Sequence, residues 1–289
     1  MEIAMGMAQL SRVLQGRKRM TAPVSYRGRL APSPTGYLHR GHAATFHIAQ
    51  NRARASGGTL VLRVEDLDRQ RCRPEYGEAL IEDMQWAGLE WQEGPYRQSE
   101  RMPLYLTAWR QLAAQGLIYP CTCTRAEVAR ALSAPHPGEH EPVYPGACRP
   151  AERTPVFDTS PGAVNWRLRT EPGETIEFCD GHGGPQAFRE GRDFGDFLVW
   201  RKDGFPSYQL AVVVDDAAMR ITEVVRGADL LAATAPQLLL YRALGLAAPA
   251  FYHVPLVTDA HGRRLAKRTG AHSLRSLRAA GIDPATLSM

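Results

Sequence analysis

No uninterrupted apolar run in the 289-residue chain approaches the roughly 18 residues that a membrane-spanning helix needs, and charged residues are spread throughout. That argues against a membrane protein. Cysteine is sparse as well: five residues, an odd number, with no secretory signal ahead of them, which speaks against a disulfide framework and for a reducing cytoplasm. Residues 1–24 are poor in acid, with Glu2 alone against Arg12, Arg17, Lys18 and Arg19, and they lack the apolar core of a secretory signal. They read as a flexible basic arm, with Met20 available as a later start. The net charge of +5 and pI near 9.1 suit a polyanionic partner, and equally suit many basic enzymes that bind no nucleic acid. With 44% hydrophobic residues the chain can build one large or two modest cores.

The stretch Arg29–His42 concentrates two prolines, two glycines and two histidines. Tyr26 to Leu30 reads as a strand, and Ala43, Ala44, Phe46, Ile48 and Ala49 have the apolar spacing of a buried helix closed by Gly57 and Gly58. The stretch is therefore a strand-to-helix loop. In a doubly wound sheet such a loop lies at the carboxyl edge, where a helix amino terminus offers N–H groups and partial positive charge to an anion such as phosphate. Gly41 permits close approach, and His39 and His42 stand three apart at the helix start, spaced to face one ligand. A proline-rich loop with adjacent histidines is the plainer alternative.

Thr59 to Val64 is a second strand, delivering Glu65, Asp66 and Asp68 to the same edge, where carboxylates cap helices, sit in solvent, or hold an ammonium group or metal-bound phosphate. Pro74–Gly88 and Met102–Gly116 are amphipathic helices without assigned chemistry. Between Tyr119 and Arg149 the character changes: Cys121 and Cys123, then proline- and histidine-rich sequence, then Tyr144 and Cys148. Three cysteines closing a loop too short for a core suggest structural zinc, for which donor chemistry alone picks His140 or His136 as fourth ligand; reduced cysteines without metal are the alternative.

From Val164 strands dominate, at Val164–Arg169, Ile176–Phe178, Asp193–Trp200 and Ile221–Val225, followed by an apolar helix around Gln237–Leu244 and a strand at His253–Val257. The apolar run within Pro206–Asp216 fits either a buried parallel strand or a helix. Arg226, at a strand end before Gly227, is suited to pair with a carboxylate ligand or to bridge to Asp229 or Glu223. Gly262–Gly270 is a basic loop.

Pro32-Ser33-Pro34-Thr35-Gly36 followed by His39-x-Gly41-His42 resembles the first signature of class I aminoacyl-tRNA synthetases in its glutamyl-branch form, with Arg40 departing from the usual apolar residue. The 262–270 loop resembles the second signature, Arg264 replacing the usual first lysine, Ala266 the usual serine, and Lys267 standing at the main position. The resemblance covers residues 26 to 270. It implies an α/β, Rossmann-type doubly wound parallel sheet with a small zinc-binding insertion, divided into 25–118 and 166–289 as the catalytic halves and 119–165 as the insertion. His39, His42 and Lys267 would be catalytic, with Gly41 and Arg264 joining them on ATP, and Mg²⁺ its companion. L-glutamate would meet Arg29, Leu30, Ala31, Pro32, Ser33, Glu65, Tyr208 and Arg226, two guanidiniums suiting an acidic amino acid. One Zn²⁺ would be held by Cys121, Cys123, Tyr144 and Cys148, the resemblance selecting Tyr144 over the histidines.

Only 21 residues follow Arg268, so no anticodon-binding domain is expected. That outline resembles the branch's stand-alone paralogue, a monomeric cytoplasmic ligase that activates glutamate without tRNA and attaches it to queuosine in the anticodon loop of tRNA(Asp). The alternatives are a reduced synthetase charging the tRNA 3′ end and an inactive nucleotide- or RNA-binding paralogue.

Overall fold

The computed structural model describes residues 25–123, 143, 144, 146–256 and 273–287. In chain order the elements are β1 (Arg27–Leu30), α1 (Arg40–Ala55), β2 (Thr59–Val64), α2 (Pro74–Trp86), β3 (Glu93–Arg97), α3 (Met102–Ala114), β4 (Ile118–Cys121), β5 (Asn165–Leu168), β6 (Thr175–Asp180), β7 (Gly184–Arg189), β8 (Phe197–Trp200), α4 (Tyr208–Ala218), β9 (Glu223–Gly227), α5 (Thr234–Leu244), β10 (Ala250–Val254) and α6 (Leu274–Ala279). They divide into two compact units. The first takes residues 25–100, 221–228 and 250–287; the second takes 101–220 and 229–249.

In the first unit β1, β2 and β3 lie side by side and parallel, Arg27 opposite Thr59 and Val61 opposite Glu93. β9 and β10 form a second parallel pair, Glu223 opposite Ala250 through Gly227 opposite Val254. The start of β9 is tied to β1, since the Thr222 N–H donates to the Arg27 carbonyl at 2.8 Å. Helices α1 and α2 bury Ala43, Phe46, Ala49, Leu80 and Met84 against Leu30, Leu60, Leu62, Val64, Val225 and Val254, so every strand contributing to this core is apolar on the covered face. Gly58 makes the α1–β2 turn possible: a Cβ there would lie 2.5 Å from the Tyr26 carbonyl oxygen, and only without it can the Thr59 N–H reach that oxygen at 3.0 Å.

The second unit is differently built. β4, β5 and β8 form an antiparallel sheet with Cys121 opposite Asn165 and Trp166 opposite Trp200, and β6 and β7 make an antiparallel hairpin. Trp109 of α3 meets Trp166 edge-on at 5.0 Å. The 206–216 run resolves as a helix: Ser207 caps α4 by accepting from the Leu210 N–H, and Leu210 to Val214 are buried all round the helix. Its Asp215 carboxylate is paid for by Arg101 at 2.6 Å and Tyr105 at 2.8 Å. The expected strand at His253–Val257 begins earlier, at Ala250, and stops before Pro255, which has no N–H to give to a ladder.

Among the described residues no helix is long and apolar enough to cross a membrane.

Candidate active site and metal centre

The loop after β1 ends in an unusual helix cap. His39 adopts an extended backbone at the N-cap of α1, and its Nδ1 accepts the Gly41 N–H at 3.1 Å; the His39 N–H in turn donates to His42 Nδ1 at 3.2 Å. Two imidazoles thus perform the reciprocal exchange usually made by a hydroxyl and a glutamate. The consequence is chemical: each Nδ1 is an acceptor, so in both neutral rings the proton sits on Nε2 as a donor. The rings lie 3.8 Å apart, tilted by 34°. Together with the helix dipole they make a donor-rich, positive end suited to phosphate oxygens. Arg40, where the signature departs from the usual apolar residue, sends its guanidinium to the Thr286 carbonyl at 3.1 Å. The chain also comes back to this loop at Ser273 and Leu274, which pair with His39 and Leu38, the Leu274 N–H donating to the Leu38 carbonyl at 2.8 Å. Arg264 and Lys267 lie outside the described residues.

The three carboxylates after β2 separate in role. Asp66 accepts from the Ser99 N–H and hydroxyl, and Asp68 from the Gln70 and Arg71 N–H groups and the Arg71 guanidinium, so both are loop-building acids. Glu65 is held at 3.0 Å by Arg63, a fully buried guanidinium on β2, which orients the carboxylate. The Glu65 N–H donates to the Pro32 carbonyl at 3.0 Å, stapling the end of β2 to the signature loop.

Arg29 and Arg226 are both buried, on β1 and β9. Arg29 Nη1 donates to the Val225 carbonyl at 2.7 Å, which puts it beside the residue preceding Arg226. Arg226 Nε donates to His253 Nε2 at 3.0 Å, and its guanidinium lies 5.4 Å from the Phe251 ring centroid. Glu223, one expected partner of Arg226, is engaged by Arg52 at 2.6 Å and by the Tyr26 hydroxyl at 2.8 Å. Leu30 is wholly buried in the core, so toward a ligand it has only backbone to offer; Pro32 is also buried, while Ala31 and Ser33 are half-buried. Tyr208 opens α4 and belongs to the second unit. Sequence reading missed His253 and Arg63. His253 acts across the sheet by its register opposite Arg226, whereas Arg63 reaches along β2 to Glu65, and neither leaves a local motif.

In the second unit Cys121, Cys123 and Cys148 converge, their sulfurs all within 4.8 Å of one another. Cys123 Sγ lies 3.7 Å from Cys148 Sγ, and the Tyr144 hydroxyl lies 3.2 Å from Cys123 Sγ and 3.7 Å from Cys121 Sγ. A tetrahedral zinc with Zn–S near 2.3 Å would separate its sulfurs by about 3.8 Å. The Cys123–Cys148 separation matches that geometry and all three sulfurs lie within 4.8 Å, so the donor set could hold such an ion. The Cys148 thiol is pulled down by the Tyr144 hydroxyl and by backbone and side-chain hydrogen bonds at Thr122, whereas burial pushes Cys123 and Tyr144 up. His136 and His140 lie outside the described residues.

Residues 25–288 match the family described as tRNA synthetases class I (E and Q), catalytic domain. The chain is 49% identical over 273 residues to the Glutamyl-Q tRNA(Asp) synthetase of Symbiobacterium thermophilum, covering 90% of this chain and 83% of that protein. It is 47% identical over 272 residues to the protein of the same name in Nitratidesulfovibrio vulgaris, covering 91% and 84%. Among solved structures, a glutamate tRNA ligase from Elizabethkingia meningosepticum superposes with a TM-score of 0.70 at 30% identity, over 86% of this chain and 53% of that one. With the histidine-capped helix, the parallel strands and these similarities agreeing, the chain belongs to the class I tRNA synthetases of the glutamyl and glutaminyl type.

Proposed function

We propose that the chain activates L-glutamate with ATP, without tRNA, and transfers the glutamyl group to queuosine in the anticodon loop of tRNA(Asp). The observation that carries this reading is the similarity, over nine tenths of the chain, to two proteins named Glutamyl-Q tRNA(Asp) synthetase, each matched over more than four fifths of its own length. In the first step a glutamate carboxylate oxygen attacks the α-phosphorus of ATP, the bond to the β-phosphate oxygen breaks, and pyrophosphate leaves. His39 and His42 hydrogen-bond phosphate oxygens through their Nε2–H groups as charge builds, beside the positive end of α1, where Gly41 permits close approach. Lys267 and Arg264 add their charges from the second signature, and Mg²⁺ travels with the nucleotide. In the second step a queuosine hydroxyl attacks the glutamyl carbonyl carbon, the bond from that carbon to the phosphate oxygen breaks, and AMP departs while the hydroxyl proton is released.

For the amino acid, Arg29 and Arg226 bind carboxylates while Glu65, held by Arg63, receives the ammonium group with Tyr208. Glutamine would leave a buried guanidinium poorly matched, a loss of about 1–3 kcal/mol. Zinc, held by Cys121, Cys123, Tyr144 and Cys148, serves as a structural clamp that replaces missing apolar burial. A monomer working in the cytoplasm completes the reading.

The test uses labelled glutamate, ATP and tRNA(Asp) with and without queuosine, followed by nuclease digestion to locate the label. Label in the anticodon fragment only when queuosine is present is expected. Label on the 3′-terminal adenosine would assign the chain instead to ordinary charging, and no glutamate-dependent ATP–pyrophosphate exchange would reduce it to a binding module.

A further inference from the structure

A divalent ion bound by three thiolates and a phenolate leaves the site with a net charge of about −2. Cys121 is only 1% exposed, so part of that surplus is shut away from water, where unpaired charge is costly. The structure holds a cation at this point. Arg167, on β5 and 5% exposed, donates from Nε to Cys121 Sγ at 3.2 Å. Its guanidinium carbon also lies over the Tyr144 ring, 3.7 Å from the centroid. One side chain therefore touches two of the four donor residues, by an N–H···S bond to one and by a cation–π contact to the other.

The position of Arg167 is itself fixed. Nη1 donates to the Asp196 carbonyl at 2.9 Å. The Asp196 side chain is clamped by the Tyr119 hydroxyl at 2.6 Å, the Thr170 N–H at 2.8 Å and Arg149 at 2.9 Å. Gly195 lets the opposite wall close: a Cβ there would lie 3.0 Å from Val143 Cγ1 and 3.5 Å from the Tyr144 backbone nitrogen. The turn before β8 thus holds the guanidinium on one side and admits the Tyr144 segment on the other.

We propose that Arg167 is the positioning residue of the metal centre: it offsets the negative charge of the thiolate–phenolate set and fixes Tyr144, in preference to a neutral imidazole, as the fourth ligand. A guanidinium stabilises a ring more strongly as that ring gains negative charge, so it favours phenolate bound to metal over phenol released from it. Toward a neutral imidazole the same contact has no such preference. The inference rests on the zinc reading above.

The experiment compares zinc affinity, by competition with a chromophoric chelator, for the full chain and for R167M, R167K, Y144F and R167M/Y144F, alongside absorption spectra of the cobalt-substituted proteins. Partners that orient metal ligands commonly change affinity by roughly 10–100-fold. R167M should lose affinity in that range with altered cobalt bands, and R167K should fall between, keeping charge without the Nε–H bond or the flat face. The R167M and Y144F losses should combine to less than their product, because Arg167 acts in part through the phenolate. Wild-type affinity in R167M, or in R167K should R167M not fold, overturns the proposal, as do losses that simply multiply. A parent chain purified without stoichiometric zinc and unable to take it up defeats the metal reading itself, a result distinct from unchanged affinity in a zinc-loaded variant.

Discussion

The Nε2–H form of both signature imidazoles follows from two hydrogen bonds that also cap α1, so the helix cap and the proposed phosphate donors share atoms. Substitutions can separate the two. His39→Asn keeps a good N-cap acceptor but removes the distal donor; thermal stability should change little while glutamate-dependent pyrophosphate exchange falls by about 10²–10³. His39→Ala should lose the same activity and also destabilise the protein by about 1 kcal/mol, read by urea unfolding. Unchanged exchange in His39→Asn would remove this histidine from the chemistry. Across the sheet, His253 holds Arg226 by its Nε2, a place that a glutamine amide oxygen can occupy and leucine cannot. His253→Leu should therefore raise the glutamate KM by roughly tenfold while kcat moves less, and His253→Gln should recover much of it. Equal KM values for the leucine and glutamine variants would show that the contact does not orient Arg226.

At the scale of elements, the parallel sheet of the first unit is laced by charges that skip a strand. Arg27 on β1 grips Glu93 on β3 through two bonds of 2.6 and 2.5 Å, passing over β2. The Arg27 guanidinium holds the Glu93 carboxyl below its ordinary value. A depressed carboxyl contributes stability that is present above the unfolded value and is lost as pH falls through the folded one. The pair is partly exposed, so Glu93→Gln should cost only about 0.5–1 kcal/mol at neutral pH. That difference should close as pH drops below about 4, in urea titrations run across pH. A penalty independent of pH would mean that packing, not charge, is what the substitution disturbs. Gly58 marks a harder limit: Gly58→Ala must push the Tyr26 carbonyl aside, and a cost of about 1–3 kcal/mol is expected by the same measurement.

For the whole molecule, the division into two compact units predicts where metal removal is felt. The Cys121, Cys123, Tyr144 and Cys148 donors all lie in the second unit, tied through Arg167 and Asp196 to β5 and the turn before β8. Chelation should raise amide hydrogen exchange first around 118–123, 143–149 and 165–170, leaving α1 and β2 protected. Loss of protection throughout the chain at once would mean that zinc supports both units.

The sequence by itself determined the local chemistry. His39, Gly41 and His42 sit within one turn of helix, Cys121 and Cys123 alternate along one strand end, and the glycine pair after α1 marks its stop; such signals survive because the interacting atoms are near in the chain. It also fixed the strand-to-helix order of the first unit, through the apolar spacing of α1 and the continuous run of β2. It could not assign 206–216, because a helix buried on every side erases the periodicity that tells helix from strand. Nor could it place the last strand, whose start at Ala250 is set by its register with β9 and whose end is set by Pro255. His253 on Arg226, Arg63 on Glu65, and Arg167 over Tyr144 were decided only by the tertiary structure. The first and last of these contacts join residues that are distant in the chain, and the Arg63–Glu65 pair depends on how a buried side chain runs along its strand, so the electrostatic neighbour of each candidate ligand emerges only once the sheets have closed.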